Sequence, residues 1–350
     1  MATLADRIRR HFLWLLLACY ALAAVLPGPG DRLANWHPFA DGWLSGGVGL
    51  PIVLVAVLLL LAAASTDIAA LRVLTQRPWL MGVSLAAVWL GPVLAAGAAS
   101  FVTPLLGDGG PSGLLLGLAL VAAMPVANSS VGWTQQSGGN LAWSLGLVVL
   151  SILLCPWVTP SLLRLAGLAL TPDEASRVET LVTQLTGITF IVWVLLPTAV
   201  GLTLRQLIGG VRIDRCRLPM QLTTAFVILL LNYLNGARVV TGLGNQLPSL
   251  RIVFAAGLGT LALSLIGVVL ARALADTLRL DAATHTALRF GLSMKHTGLA
   301  LGLAASIVGD QPVAGLVIAI ATPMQHLVAS LIDRWVDRGS GAGPVANAPG

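Results

Sequence analysis

Two short stretches hold most of the polar chemistry in a chain that is otherwise apolar. One reads Gly291-Leu292-Ser293-Met294-Lys295-His296-Thr297-Gly298-Leu299-Ala300, and Lys295 is the chain's only lysine; the other 19 basic residues are arginine. If the surrounding run is a membrane helix, the Lys295 Cα lies roughly 20 Å from either end, too far for its side chain to reach water fully. An ammonium at mid-membrane costs at least ~2.5–3.5 kcal/mol on insertion scales. Something must offset that cost: a water-filled cavity, a cage of backbone carbonyls, an anionic ligand, or loss of the proton. His296 alone reads as a satisfied core histidine. Beside Lys295 it becomes a candidate proton-handling neighbour, because an imidazole titrates near physiological pH.

The other stretch runs Met124-Pro125-Val126-Ala127-Asn128-Ser129-Ser130-Val131-Gly132-Trp133-Thr134-Gln135-Gln136-Ser137-Gly138-Gly139-Asn140. Proline removes a backbone donor and disturbs the turn before it. In lipid the freed carbonyls need other partners, so a broken helix persists only where it is buried in protein or lines a cavity. Asn128, Ser129, Ser130 and Thr134 can supply such partners. Any one of them could simply bond a neighbouring helix; their clustering beside a proline points to a site.

The elements that position these stretches follow from composition. The 350 residues are 57% hydrophobic and 10% charged, against roughly 25% charged in a soluble domain, and mean hydropathy is +0.89. The sequence is that of an all-α integral membrane protein. Its net charge of +6 comes from scattered single arginines, which argues against nucleic-acid binding. Cys19, Cys155 and Cys216 lie far apart and show neither metal-ligand nor disulfide spacing. No metal site and no cofactor is expected.

A helix needs about 20 mostly apolar residues to cross a bilayer. That ruler gives ten spans, near 12–26, 47–64, 79–103, 112–135, 140–163, 180–204, 219–241, 250–272, 282–308 and 311–332. The first also fits a signal peptide, with Arg7, Arg9 and Arg10 ahead of a short apolar run and Ala21-Leu22-Ala23 as a cleavage site. With ten spans and a cytoplasmic N-terminus, 13 arginines fall inside and five outside, as the positive-inside rule requires. Both termini are then cytoplasmic, the expected location is the cell (inner) membrane, and the Gly/Ala/Pro-rich residues 339–350 form a disordered tail. Asp67 and Asp310, near span ends, read as helix caps or solvated loop charges.

Ten spans divide into two halves, 1–168 and 176–338, separated by an outer loop carrying Asp173, Glu174, Arg177 and Glu179. Five is odd, so a duplicated unit must insert the opposite way round, giving an inverted repeat. Spans four and nine are then equivalent, and they contain the two polar stretches. Discontinuous helices in corresponding positions are the best pointer to a transporter's binding site.

At these two helices the sequence resembles the bile acid:sodium symporter family. The resemblance rests on Pro125 through Gly139-Asn140, Ala142 and Ser144 to Ser151, Pro156 and Pro160, and then on Met294 and Thr297-Gly298-Leu299-Ala300. It implies a panel domain of spans one, two, six and seven and a core domain of spans three to five and eight to ten. Broken spans four and nine cross in the core, and substrate sits between the domains. Family members carry organic anions inward with sodium. Of the positions that hold sodium in the family, Ser130 and Ser144 match. Val131 replaces an Asn, Val148 a Thr, Gly291 a Glu and Lys295 a Gln. A hard cation needs oxygen ligands, so both sodium sites are expected to be lost, with Lys295 standing in for the ion.

The expectation is a secondary transporter, not an enzyme, moving a small or amphipathic organic anion by alternating access. Asn128, Ser129, Ser130, Thr134, Ser144, Lys295, His296 and Thr297 form the substrate and coupling site, and Pro125 and Gly298 mark the helix breaks. Any coupling runs through protons at Lys295 or His296. The alternatives are a sodium-coupled symporter, a cation/proton antiporter on the related crossed-helix fold, which wants a mid-membrane carboxylate, and an intramembrane enzyme or sensor. Partners other than substrate and membrane lipid are not indicated.

Overall fold

The computed structural model describes residues 11–38, 49–65, 77–102, 113–168, 170–244, 248–304, 307 and 310–339. Arg7, Arg9, Arg10, Asp67, Arg72 and the tail beyond residue 339 lie outside the described residues. Within them every regular element is helical: α1 (Phe12–Val25), α2 (Pro27–Ala34), α3 (Leu50–Ala64), α4 (Pro78–Val102), α5 (Leu114–Ala123), α6 (Ser129–Gln136), α7 (Leu141–Gly167) and α8 (Pro172–Thr186). Then follow α9 (Ile188–Ile208), α10 (Gly210–Arg215), α11 (Arg217–Gly242), α12 (Leu250–Leu278), α13 (Ala282–Ser293), α14 (Thr297–Ala304) and α15 (Pro312–Gly339).

Five helices are long and apolar enough to cross a bilayer alone: α7, α9, α11, α12 and α15. The pair α1–α2, bent by 98°, makes a sixth. The bend has a local cause, since Leu26 precedes Pro27, a position that disfavours helical backbone, and its φ of −128° and ψ of 64° are not helical. Among the described residues, ten continuous spans are therefore not seen. Expected spans four and nine are each divided into two pieces, of 10 and 8 residues (α5, α6) and of 12 and 8 residues (α13, α14). Each piece is too short to span a bilayer unaided. The short apolar α3, at 15 residues, also falls below the length of a full span.

α1 packs on α11, and it does so through buried positions such as Leu16 and Ala23. α3 packs on α9, while α12 packs on α4, α13 and α15. Gly267 of α12 lets two backbones meet, because a Cβ there would collide with the Leu292 carbonyl and Ser293 of α13. The end of α13, where the chain breaks, is thus pressed directly against α12.

The expected outer loop is instead a helix, and span six begins later than residue 180. Thr171 and Glu174 form a capping box that starts α8, each satisfying a backbone donor at the helix end. α8 stops at Gly187, where a Cβ would stand 2.7 Å from the Thr183 carbonyl, and the apolar α9 follows with a π turn at Ile191–Leu195. Glu174 is buried and also accepts from the Gly113 N–H at 2.7 Å, at the start of α5. Asp310 is an exposed loop charge and pairs with Arg177 of α8 at 2.7 Å.

Candidate functional site

The two breaks face each other. Met124 and Met294 both leave the helix in extended conformation, and Val126 and Lys295 form an antiparallel bridge. The Ala127 N–H donates to the Met294 carbonyl at 3.0 Å, and the His296 N–H to the Pro125 carbonyl at 2.8 Å. Each break thus satisfies backbone groups that the other exposes, which is what permits irregular backbone inside a membrane protein.

Side chains complete the accounting. The Val126 N–H donates to Ser151 Oγ at 3.1 Å, and the Lys295 N–H to Gln325 Oε1 at 2.9 Å. Thr159 Oγ1 donates to the Ala123 carbonyl at the end of α5. Ser151, Thr159 and Gln325 were absent from the sequence-derived site because their role is to repair the breaks; a polar residue at mid-span was the only available signal.

Lys295 is 7% exposed, so water does not solvate its charge. Its ammonium donates to the Val88 carbonyl on α4 at 2.5 Å. That carbonyl would ordinarily accept from the N–H four residues on, and residue 92 is a proline with no N–H. The same relation recurs at α15. Pro323 leaves the Ala319 carbonyl without a helical donor, and Tyr20 Oη of α1 donates to it at 2.8 Å. Tyr20 also bonds Asn232 Oδ1 of α11 at 2.5 Å.

His296 closes the start of α14, its Nδ1 accepting from the Leu299 N–H at 3.0 Å. Nδ1 therefore carries a lone pair and the neutral ring holds its hydrogen on Nε2. Asn128 Nδ2 lies 3.4 Å from Nε2, and with the hydrogen on Nε2 a half-turn of the amide, bringing Oδ1 to the ring, makes this a hydrogen bond. Thr297 Oγ1 accepts from Thr322 at 2.9 Å and from Gln325 Nε2 at 3.4 Å. Gly298 does not form the break, which falls at Met294–His296. It sits in the first turn of α14, where the missing side chain brings Leu231 of α11 and the His296 ring to 3.6 Å from the position a Cβ would take.

The remaining candidates divide. Thr134 Oγ1 donates to Ser144 Oγ at 3.2 Å, joining α6 to α7. Ser130 is fully buried and its hydroxyl has no partner, so the Lys295 ammonium does not reach it. Ser129 is half-buried at the start of α6. A Cβ at Gly291 would stand 2.8 Å from Leu147 Cδ1, so an apolar side chain fills the space beside it. Among the described residues no group of three or more His, Cys, Asp or Glu is placed to hold a metal. Beyond the crossing, a small cavity of about 20 Å³ lies among α14, α3, α8 and α9. Ile52, Val55, Phe190, Val194 and Leu299 line it, with Gln184 as a polar member.

A profile of the SBF-like CPA transporter family matches residues 10–336, nearly the whole chain. The chain belongs to this family. No curated protein matches it. The family assignment and the apolar helices together make this a multi-pass membrane transporter.

Proposed function

We propose that this member of the family is a secondary transporter of a small or amphipathic organic anion, working by alternating access and without sodium. The observation that carries the reading is Lys295 at the crossing of the two breaks, buried, bonded to a backbone carbonyl and paired with no carboxylate among the described residues. A fixed cation there repels a sodium ion and attracts an anionic group. Support comes also from the positions that hold sodium in the bile acid symporters. Val131 and Val148 offer no side-chain oxygen, and Leu147 occupies the space that an acidic side chain at Gly291 would need. In this reading the five-plus-five inverted repeat supplies the two faces that open alternately.

The CPA in the family's description favours a second reading, cation/proton exchange. It requires a titratable group at the crossing, and Lys295 and His296 are the residues present there. Thermal unfolding of the purified protein in sodium against potassium separates sodium coupling from both. A ligand that binds only the folded form stabilises it by mass action, so equal unfolding temperatures in the two salts are expected. A sodium-specific rise that persists in Lys295→Gln returns the ordinary sodium symporter. Proton movement driven by a cation gradient in vesicles, with no organic anion present, selects exchange.

A further inference from the structure

Arg289 lies on α13, about a turn and a half before the break, and is half-buried. A guanidinium inside a span is costly unless something pairs with it. Its Nε donates at 3.1 Å to His285 Nε2, one turn back towards the start of α13. An imidazole nitrogen that accepts carries no charge of its own, so this bond orients Arg289 without neutralising it. Arg272 and Asp276, on α12 packed against α13, are the charges that act on it electrostatically. Asp276 is already paired with Arg272 at 2.7 Å. The cluster therefore holds two guanidinium groups and one carboxylate, with no second acid among the described residues.

The face on which the cluster sits says what completes it. Along α12 the exposed residues Phe254, Leu258, Leu265 and Val269 form one apolar stripe. The spacing of that stripe continues onto exposed Arg272 and Asp276 at the helix end. An apolar surface that meets paired cations at the end of a span is the arrangement of acyl chains below and headgroup above. A soluble anion would use the cations and have no need of the stripe.

We infer that Arg272 and Arg289 bind the phosphate of an anionic phospholipid in the leaflet where α12 ends and α13 begins. The arginine distribution assigns that leaflet to the cytoplasmic side. The His285 ring aims Arg289 at the headgroup, and the acyl chain follows the α12 stripe. Because Gly267 presses α12 onto the end of α13, a lipid gripping both helices also braces the broken span beside Lys295.

The test is thermal unfolding of the full chain in detergent with phosphatidylglycerol, phosphatidylcholine or inorganic phosphate at matched phosphate concentration. Phosphatidylglycerol alone should raise the unfolding temperature. Arg272→Gln should weaken lipid retention in native mass spectrometry roughly fivefold, the effect of one arginine at an anionic surface. Arg272→Gln with Arg289→Gln should abolish the shift, and Arg251→Gln, at the opposite end of α12, should keep it. Equal shifts with both lipids, or a shift that survives the double substitution, overturns the site. A shift with inorganic phosphate alone makes the ligand a soluble oxyanion and overturns the lipid assignment. If Arg289→Gln does not fold, exposed Arg272 carries the test, and unchanged retention in Arg272→Gln sinks the proposal.

Discussion

Lys295 donates to the Val88 carbonyl, and Val88 is the residue whose helical donor Pro92 removes. The proline prepares an acceptor in α4 and the lysine of the broken span takes it. Truncating the lysine leaves that carbonyl buried and unpaired, which costs about 1–3 kcal/mol. Replacing Pro92 by alanine supplies the missing N–H. We therefore expect Pro92→Ala to stabilise the Lys295→Met variant more than it stabilises the wild type, by about 1–3 kcal/mol of coupling. Additive effects in thermal unfolding would mean that the ammonium does not depend on this carbonyl.

Tyr20 and Ala319 stand in the same relation through Pro323. Tyr20→Phe deletes the one hydroxyl hydrogen that the Ala319 carbonyl and Asn232 Oδ1 share, with little change of shape. A loss of about 1–3 kcal/mol is expected from the donor these buried acceptors lose. Pro323→Ala should recover the part that belongs to Ala319, and Asn232→Leu the part that belongs to the amide. A Tyr20→Phe protein as stable as wild type would show that these acceptors find other donors.

Both breaks were legible in the sequence, because a proline among polar residues and a lone lysine in an apolar run have no ordinary place in a membrane helix. Their partners were not. Pro92 and Pro323 announce that the Val88 and Ala319 carbonyls are free, but only the packing of α4 against the breaks and of α1 against α15 decides that Lys295 and Tyr20 take them. Gly298 stands two residues past the break, because His296, capping through Nδ1, starts α14 ahead of it. The helix α8 carried a readable signal, Thr171 three residues before Glu174, which a ruler tuned to 20 apolar residues passes over. The same ruler reads spans four and nine as single runs, whereas each is divided in two.

Asp281 provides a pH prediction at the edge of the membrane. It begins α13, accepting from the Thr284 N–H at 2.9 Å. Burial by itself pushes its carboxyl up, but the Thr284 N–H and hydroxyl outweigh it and hold the group below its ordinary value. A carboxyl depressed by folding contributes stability above its unfolded value and loses it as the pH falls through its folded value. Wild type should therefore lose stability on acidification through the aspartate range more steeply than Asp281→Asn, which caps without a charge. Parallel pH curves would show that the cap is not charge-assisted.

The cap of α14 is the contact on which the second break depends. His296 Nδ1 accepts from the Leu299 N–H, a donor that otherwise ends in a dry interior beside Leu231. Asparagine is among the better helix caps and leucine among the poorest, a difference of about 1 kcal/mol. His296→Asn should therefore stay close to wild type in thermal unfolding, and His296→Leu should fall by at least that amount, since Asn128 also loses its partner. Transport separates the two roles of the ring. If His296 only caps, His296→Asn keeps the uptake rate and its pH profile. If the ring also exchanges protons, His296→Asn folds normally but flattens the pH profile. An unstable His296→Asn protein would instead show that the packing of the ring, rather than its nitrogen, sets the start of α14.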